Sequence, residues 1–416
     1  MKKILRISIV AAMMIGASSV SVQADGLSIT DNVYVKGEIR PRYEMVDDDN
    51  SVSNANALTN RLVIGAGADL FGTSWMSAYA EMTNVSLLND NYRDLATNNA
   101  NANSVVADAK QTRLTQSYID FKTGKTKLRF GRQLMNLDNQ RFVGAVGWRQ
   151  MPQTYDAITL TNNDIKGLNL FASYISQVNT IFADGGPKVD SYDTRTLLFN
   201  ASYAMMPELK VTAYAYLIGS VHDTYGLSLT GNVPVNSSLK INYRAEYATQ
   251  DDASLDKSDG PDNVKANADW YNINVGMNMN GVIAAVGYES LSGIQGAGDT
   301  AFSTPLATLH GKNGWADKFL STPAAGLEDF TVMLGYKSKG YGLFKAVYHD
   351  FQSEVGNTDY GREIDAVYKN KIPGVKNLGG LLKVASYSAD TNNGIGGLNT
   401  DTVKFWAMLD YKFSTK

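Results

Sequence analysis

Residues 131–150 carry side chains that could bind an anion. The segment contains Arg132, Arg141 and Arg149, together with several glycines and Trp148. A guanidinium group stays charged at neutral pH and binds carboxylate, sulfate or phosphate as a planar fork. This composition does not fit a regular strand and predicts a loop that folds inward and presents its arginines. The alternative is a surface loop whose arginines form salt bridges within the scaffold.

The residue types needed for other chemistry are sparse. The three histidines, His222, His310 and His349, are far apart and lack the spacing of zinc ligands. No phosphate-binding loop or nucleophile-elbow pattern is present, and the chain has no cysteine. We therefore predict no catalytic residue, no metal site and no cofactor, and expect the protein not to be an enzyme.

Hydrophobicity alternates with a period of two over most of the chain. Between residues 33 and 45, Val33, Ile39 and Tyr43 fall on one face, whereas Arg40 and Arg42 fall on the other among further charged side chains. A face with five consecutive charges opposite an apolar, aromatic face is typical of a transmembrane barrel strand, with lipid outside and water inside. The pattern predicts an all-β fold, a transmembrane antiparallel β-barrel.

Eighteen such segments can be counted, separated alternately by short turns and long polar stretches. Short turns are predicted at residues 71–73, 123–125, 206–208, 280–281 and 339–340. An even number of strands is expected for a single-chain bacterial barrel. The segments are predicted to begin near Val33, Leu58, Trp75, Arg113, Thr126, Tyr155, Leu168, Thr196, Val211, Thr224, Leu239, Trp270, Val282, Glu328, Gly342, Arg362, Leu381 and Thr402.

Arginines on the polar faces extend the set of candidate pore-lining residues. A barrel of this size is too wide for side chains alone to fill, so its lumen holds water or inward-folded loops. Charges at a narrow constriction can then decide which ions pass. The candidates are Arg132, Arg141 and Arg149, with Arg40, Arg42, Arg61, Arg113, Arg129 and Arg244 as supporting positions. The pattern does not decide which side chains of residues 345–351 face the lumen, because apolar residues occur at both odd and even positions.

The N-terminus predicts export. Lys2, Lys3 and Arg6 precede an apolar stretch over residues 7–17, and residues 22–24 carry small-residue cleavage features. The stretch is too short to span a membrane as a helix. We predict a signal peptide over residues 1–24 and a single barrel domain over residues 25–416. Removing three of the 38 basic residues leaves 35 against 41 acidic ones, a net charge of −6, which argues against a nucleic-acid partner.

Two blocks of sequence resemble a known family. The segment of residues 131–150 with the following residues 153–157, and a second block over residues 304–319, are similar to the alginate-export family of bacterial outer-membrane porins. The periodic strands extend the likeness over nearly the whole mature chain. The resemblance implies an 18-stranded, monomeric barrel with an arginine-rich, electropositive constriction. It does not carry alginate over as the cargo.

Together these features predict a porin of the Gram-negative cell outer membrane. We expect passive diffusion of small, anionic solutes. The alternatives are an export duct for an acidic, alginate-like exopolysaccharide, or a structural or adhesive barrel. The expected partners are outer-membrane lipid and lipopolysaccharide, small solutes and the barrel-assembly machinery, because the aromatic final strand resembles an assembly signal.

Overall fold

The computed structural model describes residues 30–50, 52–96, 103–255 and 265–415. The predicted signal peptide lies outside these residues. Within them, no helix is long and apolar enough to cross a membrane. The strands are β1 (Thr30–Asp48), β2 (Ala55–Leu70), β3 (Met76–Asn91), β4 (Gln111–Thr123), β5 (Thr126–Gln133), β6 (Thr154–Asn162), β7 (Leu168–Asn179), β8 (Ser191–Met206), β9 (Leu209–Ile218), β10 (His222–Pro234), β11 (Leu239–Asp251), β12 (Lys265–Ala266), β13 (Ala268–Met279), β14 (Val282–Leu291), β15 (Asp299–Thr300), β16 (Leu327–Ser338), β17 (Gly342–Gln352), β18 (Asp359–Lys371), β19 (Leu378–Ala389) and β20 (Thr402–Ser414), with one 3₁₀ turn at Leu309–Gly311.

Eighteen strands form one closed antiparallel sheet. Each strand pairs with its neighbours in sequence, and β1 pairs with both β2 and β20, which closes the barrel. The two-residue strands β12 and β15 pair only with each other, in parallel. Closure pairs every edge, and an unpaired sheet edge is not tolerated in lipid. The predicted 18-stranded barrel is confirmed, and the predicted strand starts lie within five residues of the observed ones.

The two ends of the barrel differ in their connections. Tight turns close one end, and at Asn280–Gly281 both residues have positive φ (52° and 89°), which is the geometry of a two-residue type I′ hairpin. The long connections, residues 92–110, 134–153, 180–190, 252–267 and 292–326, all leave the opposite end. Short turns at one rim and long loops at the other are the asymmetry of outer-membrane barrels.

The strands direct apolar side chains outward. On β13, Tyr271, Ile273 and Val275 are exposed, whereas Trp270 and Asn272 between them are buried. The outward band is the surface that faces hydrocarbon in a transmembrane barrel. On β17, His349 and Phe351 point into the lumen, together with Lys345 and Val347, while Phe344 is exposed on the outside. In residues 345–351 the odd-numbered side chains therefore face the lumen. Apolar residues such as Phe351 are accommodated there because the inward-folded loops supply an apolar environment.

Candidate functional site in the barrel lumen

Two connections fold back into the barrel. Residues 134–153 join β5 to β6, and residues 301–326 precede β16; we call them segment A and segment B, and together the plug. The backbone N–H of Gly144 in segment A donates to the carbonyl of Leu306 in segment B at 2.8 Å, and that of Thr308 donates to the carbonyl of Gln140 at 3.1 Å. The two segments therefore satisfy each other's backbone groups, as buried chain must.

Aromatic side chains fasten the plug to two separate parts of the barrel wall. Phe142 of segment A packs edge-on against Trp270 of β13, with ring centroids 5.3 Å apart. At the second part, Trp148 of segment A stacks on His310 of segment B at 4.6 Å, and Trp406 of β20 meets both rings edge-on. Buried aromatic pairs contribute about 0.5–1.5 kcal/mol beyond the area they bury. The plug is thus packed into the lumen as a core.

Arg149 lies in a buried network of charges between the plug and the wall. Its guanidinium group is 3.1 Å from Glu44 of β1 and 3.1 Å from Asp317 of segment B. Arg42 of β1 pairs with Glu44 at 3.2 Å and also contacts Asp108 of the β3–β4 connection. Burial disfavours the charged forms of Arg149 and Asp108. The nearby carboxylates of Glu44 and Asp108 nevertheless raise the pKa of Arg149. Conversely, Arg42 and Arg149 outweigh burial and lower the pKa of Asp108. Both groups are therefore ionised.

The remaining arginines of the plug and of β1–β2 are also occupied. Arg141 lies 3.1 Å from Glu289 of β14. Arg40 donates to the carbonyl of Arg149 (2.5 Å) and to that of Gly147 (3.0 Å), and so holds segment A against β1. Arg61, on the neighbouring strand, lies 3.1 Å from Glu38. Arg40 and Arg141 thus link the plug to the barrel wall, whereas Arg61 pairs with a carboxylate of the neighbouring strand β1.

Three further predicted arginines line the wall on the lumen side. Arg129 forms two hydrogen bonds with Asp120, at 2.6 and 2.8 Å. Arg244 lies 2.5 Å from Glu246. Arg113 donates to backbone carbonyls of the β7–β8 connection, including that of Thr180 at 2.8 Å. Each is thus neutralised by a carboxylate or engaged by a loop.

Arg132 does not line the lumen, and this prediction is wrong. On β5, Arg132 shares its face with Leu128 and Phe130, which are exposed on the outside of the barrel. It forms two hydrogen bonds with Asp156 of β6, at 2.7 and 2.8 Å, on the same outer face. Side chains two residues apart share a face of a strand, so membership of β5 fixes the direction of Arg132. The composition of residues 131–150 predicts an irregular segment that includes Arg132, whereas β5 continues to Gln133.

A lysine that is not among the predicted site residues joins the wall to the plug. Lys383 of β19 has its ammonium group 3.8 Å from the ring centroid of Trp315 and 4.2 Å from that of Trp148. His310 lies 2.6 Å from the same group through its Nε2 atom. Cations over indole rings are stabilised by the ring quadrupole. The alternation of side chains along β19 indicates that Lys383 faces the lumen. Its partners could not be found in the same way, because they come from both plug segments.

Two cavities lie beside the plug. One, of about 450 Å³, lies between the plug and strands β10–β17, and its lining includes Asn139, Thr230, Asn232, Asn242, Arg244, Asn274, Glu289, Lys312, Asp329 and His349. The other, of about 520 Å³, lies nearer the end with the long loops and is lined by Asp48, Lys318 and Lys404 among others. The first cavity is lined mainly by polar groups and the second by a mixture of polar and apolar ones, and both are of a size for small solutes rather than macromolecules.

The comparisons with known proteins agree with this architecture. The family model described as alginate export matches residues 32–173, which include nearly all of β1, the whole of β2–β6, segment A and the first half of β7. The second block used for the resemblance, residues 304–319, lies beyond the match. No curated protein matches the chain.

Solved outer-membrane channels have a similar fold. The structure of Acinetobacter baumannii OccAB2 aligns with a TM-score of 0.72 and 17% identity, covering 94% of this chain and 100% of that one. Pseudomonas aeruginosa OpdK with vanillate (TM-score 0.70, 13% identity, 93% and 100% coverage) and P. aeruginosa OccK8, or OprE (0.70, 14%, 93% and 100%), align similarly. At these identities the likeness establishes the fold. The chain is therefore an 18-stranded transmembrane β-barrel of the outer membrane that is similar to the alginate-export family over residues 32–173.

Proposed function

We propose that the protein is a passive diffusion channel of the outer membrane for small, anionic solutes. The observation that carries this proposal is the polar lumen inside a closed, externally apolar barrel, narrowed by a plug that leaves cavities of about 450 and 520 Å³. A non-enzymatic role fits, because His310 and His349 are each held by a carboxylate in structural contacts, at 2.7 and 2.9 Å. The chain is exported behind the signal peptide, and residues 25–416 form one domain.

The proposed pore-lining residues are Arg40, Arg42, Arg61, Arg113, Arg129, Arg141, Arg149 and Arg244, without Arg132. The positions of Arg40, Arg42, Arg141 and Arg149 in or against the plug support this role, since low-dielectric walls focus the field of charges at a constriction. The other four line the wall of the lumen. The carboxylates that pair with most of these arginines oppose the preference for anions. The net preference therefore depends on small differences between the positive and the negative charge near the plug. Folding by the barrel-assembly machinery, a surround of lipopolysaccharide and a monomeric state complete the proposal.

The test is conductance in planar lipid bilayers. Purified protein should open ion channels, and a potassium chloride gradient at low salt should give a reversal potential on the chloride side. Low salt is needed because, at an ionic strength of about 0.1 M, screening already limits the range of interaction of exposed charges to roughly 10 Å. A wild-type reversal potential on the cation side would remove the anion preference and leave the channel intact. Absence of conductance would favour a structural or adhesive barrel.

A second candidate is an export duct for an acidic exopolysaccharide. The match of residues 32–173 to the alginate export model supports it. Proteoliposomes loaded with uronate oligomers of increasing length separate the two functions. A diffusion channel should release monomers and retain long oligomers, whereas a duct should release both.

A further inference from the structure

The 3₁₀ turn of segment B precedes Lys312, whose side chain lines the cavity between the plug and strands β10–β17. The turn covers Leu309–Gly311, and the backbone N–H of Lys312 donates to the carbonyl of Leu309 at 2.7 Å, which fixes the residue at the end of the turn. The side chain lines the 450 Å³ cavity. Among the residues that the structure describes, its ammonium group has no hydrogen-bond or ion-pair partner.

The other charged groups at this cavity are matched by neighbours. Glu289 is paired with Arg141 at 3.1 Å. Arg244 is paired with Glu246 at 2.5 Å. Asp329 accepts a hydrogen bond from His349 at 2.9 Å and another from Asn313 at 3.2 Å. Among the described residues that line this cavity, Lys312 is therefore the charged group without an ion-pair or hydrogen-bond partner.

The wall opposite Lys312 offers uncharged donors and acceptors. Asn232 of β10 and Asn242 of β11 line the cavity next to Thr230, and Thr331 of β16 lies further along. In the described part of the chain, the side chains of Asn232 and Asn242 form no hydrogen bond to protein. A Cβ at Gly287 would come within 2.6 Å of the Thr331 hydroxyl, so glycine keeps this wall open. Amides and hydroxyls facing a cavity can bind the hydroxyl groups of a solute.

We propose that Lys312 is the specificity-determining residue of the channel and that its cavity binds small polyhydroxylated solutes with a single negative charge. The proposal rests on the channel function proposed above. One cation can neutralise one anionic group, while the amides of Asn232 and Asn242 take the hydroxyls. Because Glu289 and Asp329 are already paired with Arg141 and His349, a second negative charge on the solute would find no further unpaired cation in the described lining of the cavity.

The ionisation of Lys312 provides an independent readout. Burial, followed by the nearby Arg141 and Arg244, lowers the pKa of Lys312 to about 8 against the opposing effects of Glu289 and Glu246. Asp329 and His349 face the same cavity. A lysine is cationic only below its pKa, so anion preference should be full near pH 6 and decline as the pH rises through about 8.

The experiment compares Lys312→Gln with Lys240→Gln in planar bilayers, using block of chloride current by added solutes. Lys240 lies on the same strand as Asn242 but outside the cavity. The probes are gluconate, sorbitol, acetate and glucarate, which separate hydroxyl groups, one charge and two charges. Wild type and Lys240→Gln should be blocked most strongly by gluconate. Lys312→Gln should weaken that block about tenfold or more, the loss of one charge-assisted contact, and lose the pH dependence.

Lys312→Arg keeps the charge and should retain the block by gluconate, which controls for damage to segment B. Equal block of Lys312→Gln and wild type by gluconate would overturn the inference while leaving the channel function standing. Stronger block by acetate or by glucarate than by gluconate would overturn the substrate class. A wild-type protein without conductance would instead remove the proposed function.

Discussion

At the scale of single residues, most arginines of the lumen are paired with carboxylates. Arginine is paired with glutamate or aspartate at site after site, as in Arg149 with Glu44 (3.1 Å) and Arg129 with Asp120 (2.6 Å). Desolvating a charge is expensive, so buried ions are kept in pairs. The alternative considered for the arginines, salt bridges within the scaffold, describes most of these contacts. If the proposal for Lys312 holds, this residue, which has no ion-pair partner among the described residues, should influence permeation more than a larger number of paired arginines.

Replacing Arg149 should destabilise the plug. Arg149→Ala leaves Glu44 and Asp317 short of a cation, and breaking a buried pair in this way costs about 3 kcal/mol, the lower end of the usual range, because Arg42 and Lys404 remain close. The measurement is the urea midpoint of unfolding in lipid vesicles.

The matched control for this change is Arg362→Ala. Arg362 pairs with Asp350 at 3.5 Å on the surface, where both side chains are largely exposed. Exposed pairs contribute little to stability, so the midpoint should stay near that of wild type. Equal effects of the two variants would show that the Arg149 network does not stabilise the plug.

At the scale of the strand, the alternation of side chains decides what each substitution meets. On β13, Ile273 is exposed on the outer face, and Asn274, the next residue, lines the 450 Å³ cavity. A shift of one residue in register would exchange the two environments. The same rule places Arg132 outside the barrel next to Phe130.

Arginine substitutions at these two neighbours should have opposite outcomes. Ile273→Arg places a charge in hydrocarbon, at a cost of about 2–4 kcal/mol near mid-membrane. Asn274→Arg points into the water-filled lumen and should still insert. The measurement is the fraction of folded, heat-modifiable protein after refolding into vesicles. Similar insertion of the two variants would contradict the facing of β13.

At the scale of the whole molecule, closure and the plug act together. The sheet pairs all eighteen strands in a ring, and the plug contacts strands β13 and β20 through Phe142 and Trp148. A ring without an edge has no end strand from which to fray. Unfolding should therefore be cooperative and require strong denaturation.

Heat modifiability tests this property. Unboiled protein in detergent should remain a compact barrel and migrate differently on a gel from the boiled protein, with a β-type circular dichroism spectrum before heating. A single band position with and without boiling, together with a helical spectrum, would contradict the closed barrel.

Much of the fold could be predicted from the sequence because barrel strands obey a local rule. Lipid on one side and water on the other impose a period of two on each strand, so strands, tight turns and lumen-facing positions such as Arg40 and Arg244 can be assigned from short windows. The inward fold of residues 136–150 was also predictable, because glycines and arginines interrupt that period.

Only the tertiary structure decided which charges stay unmatched. Arg149 meets Glu44 across 105 positions in sequence and Asp317 across 168, and such partners are brought together by closure of the barrel and by contact of the two plug segments. Lys312 carries no local pattern that distinguishes it from other loop lysines. Its role follows from the neutralisation of its neighbours. Local patterning thus determined the wall of this barrel, whereas long-range pairing determined the electrostatics of its lumen.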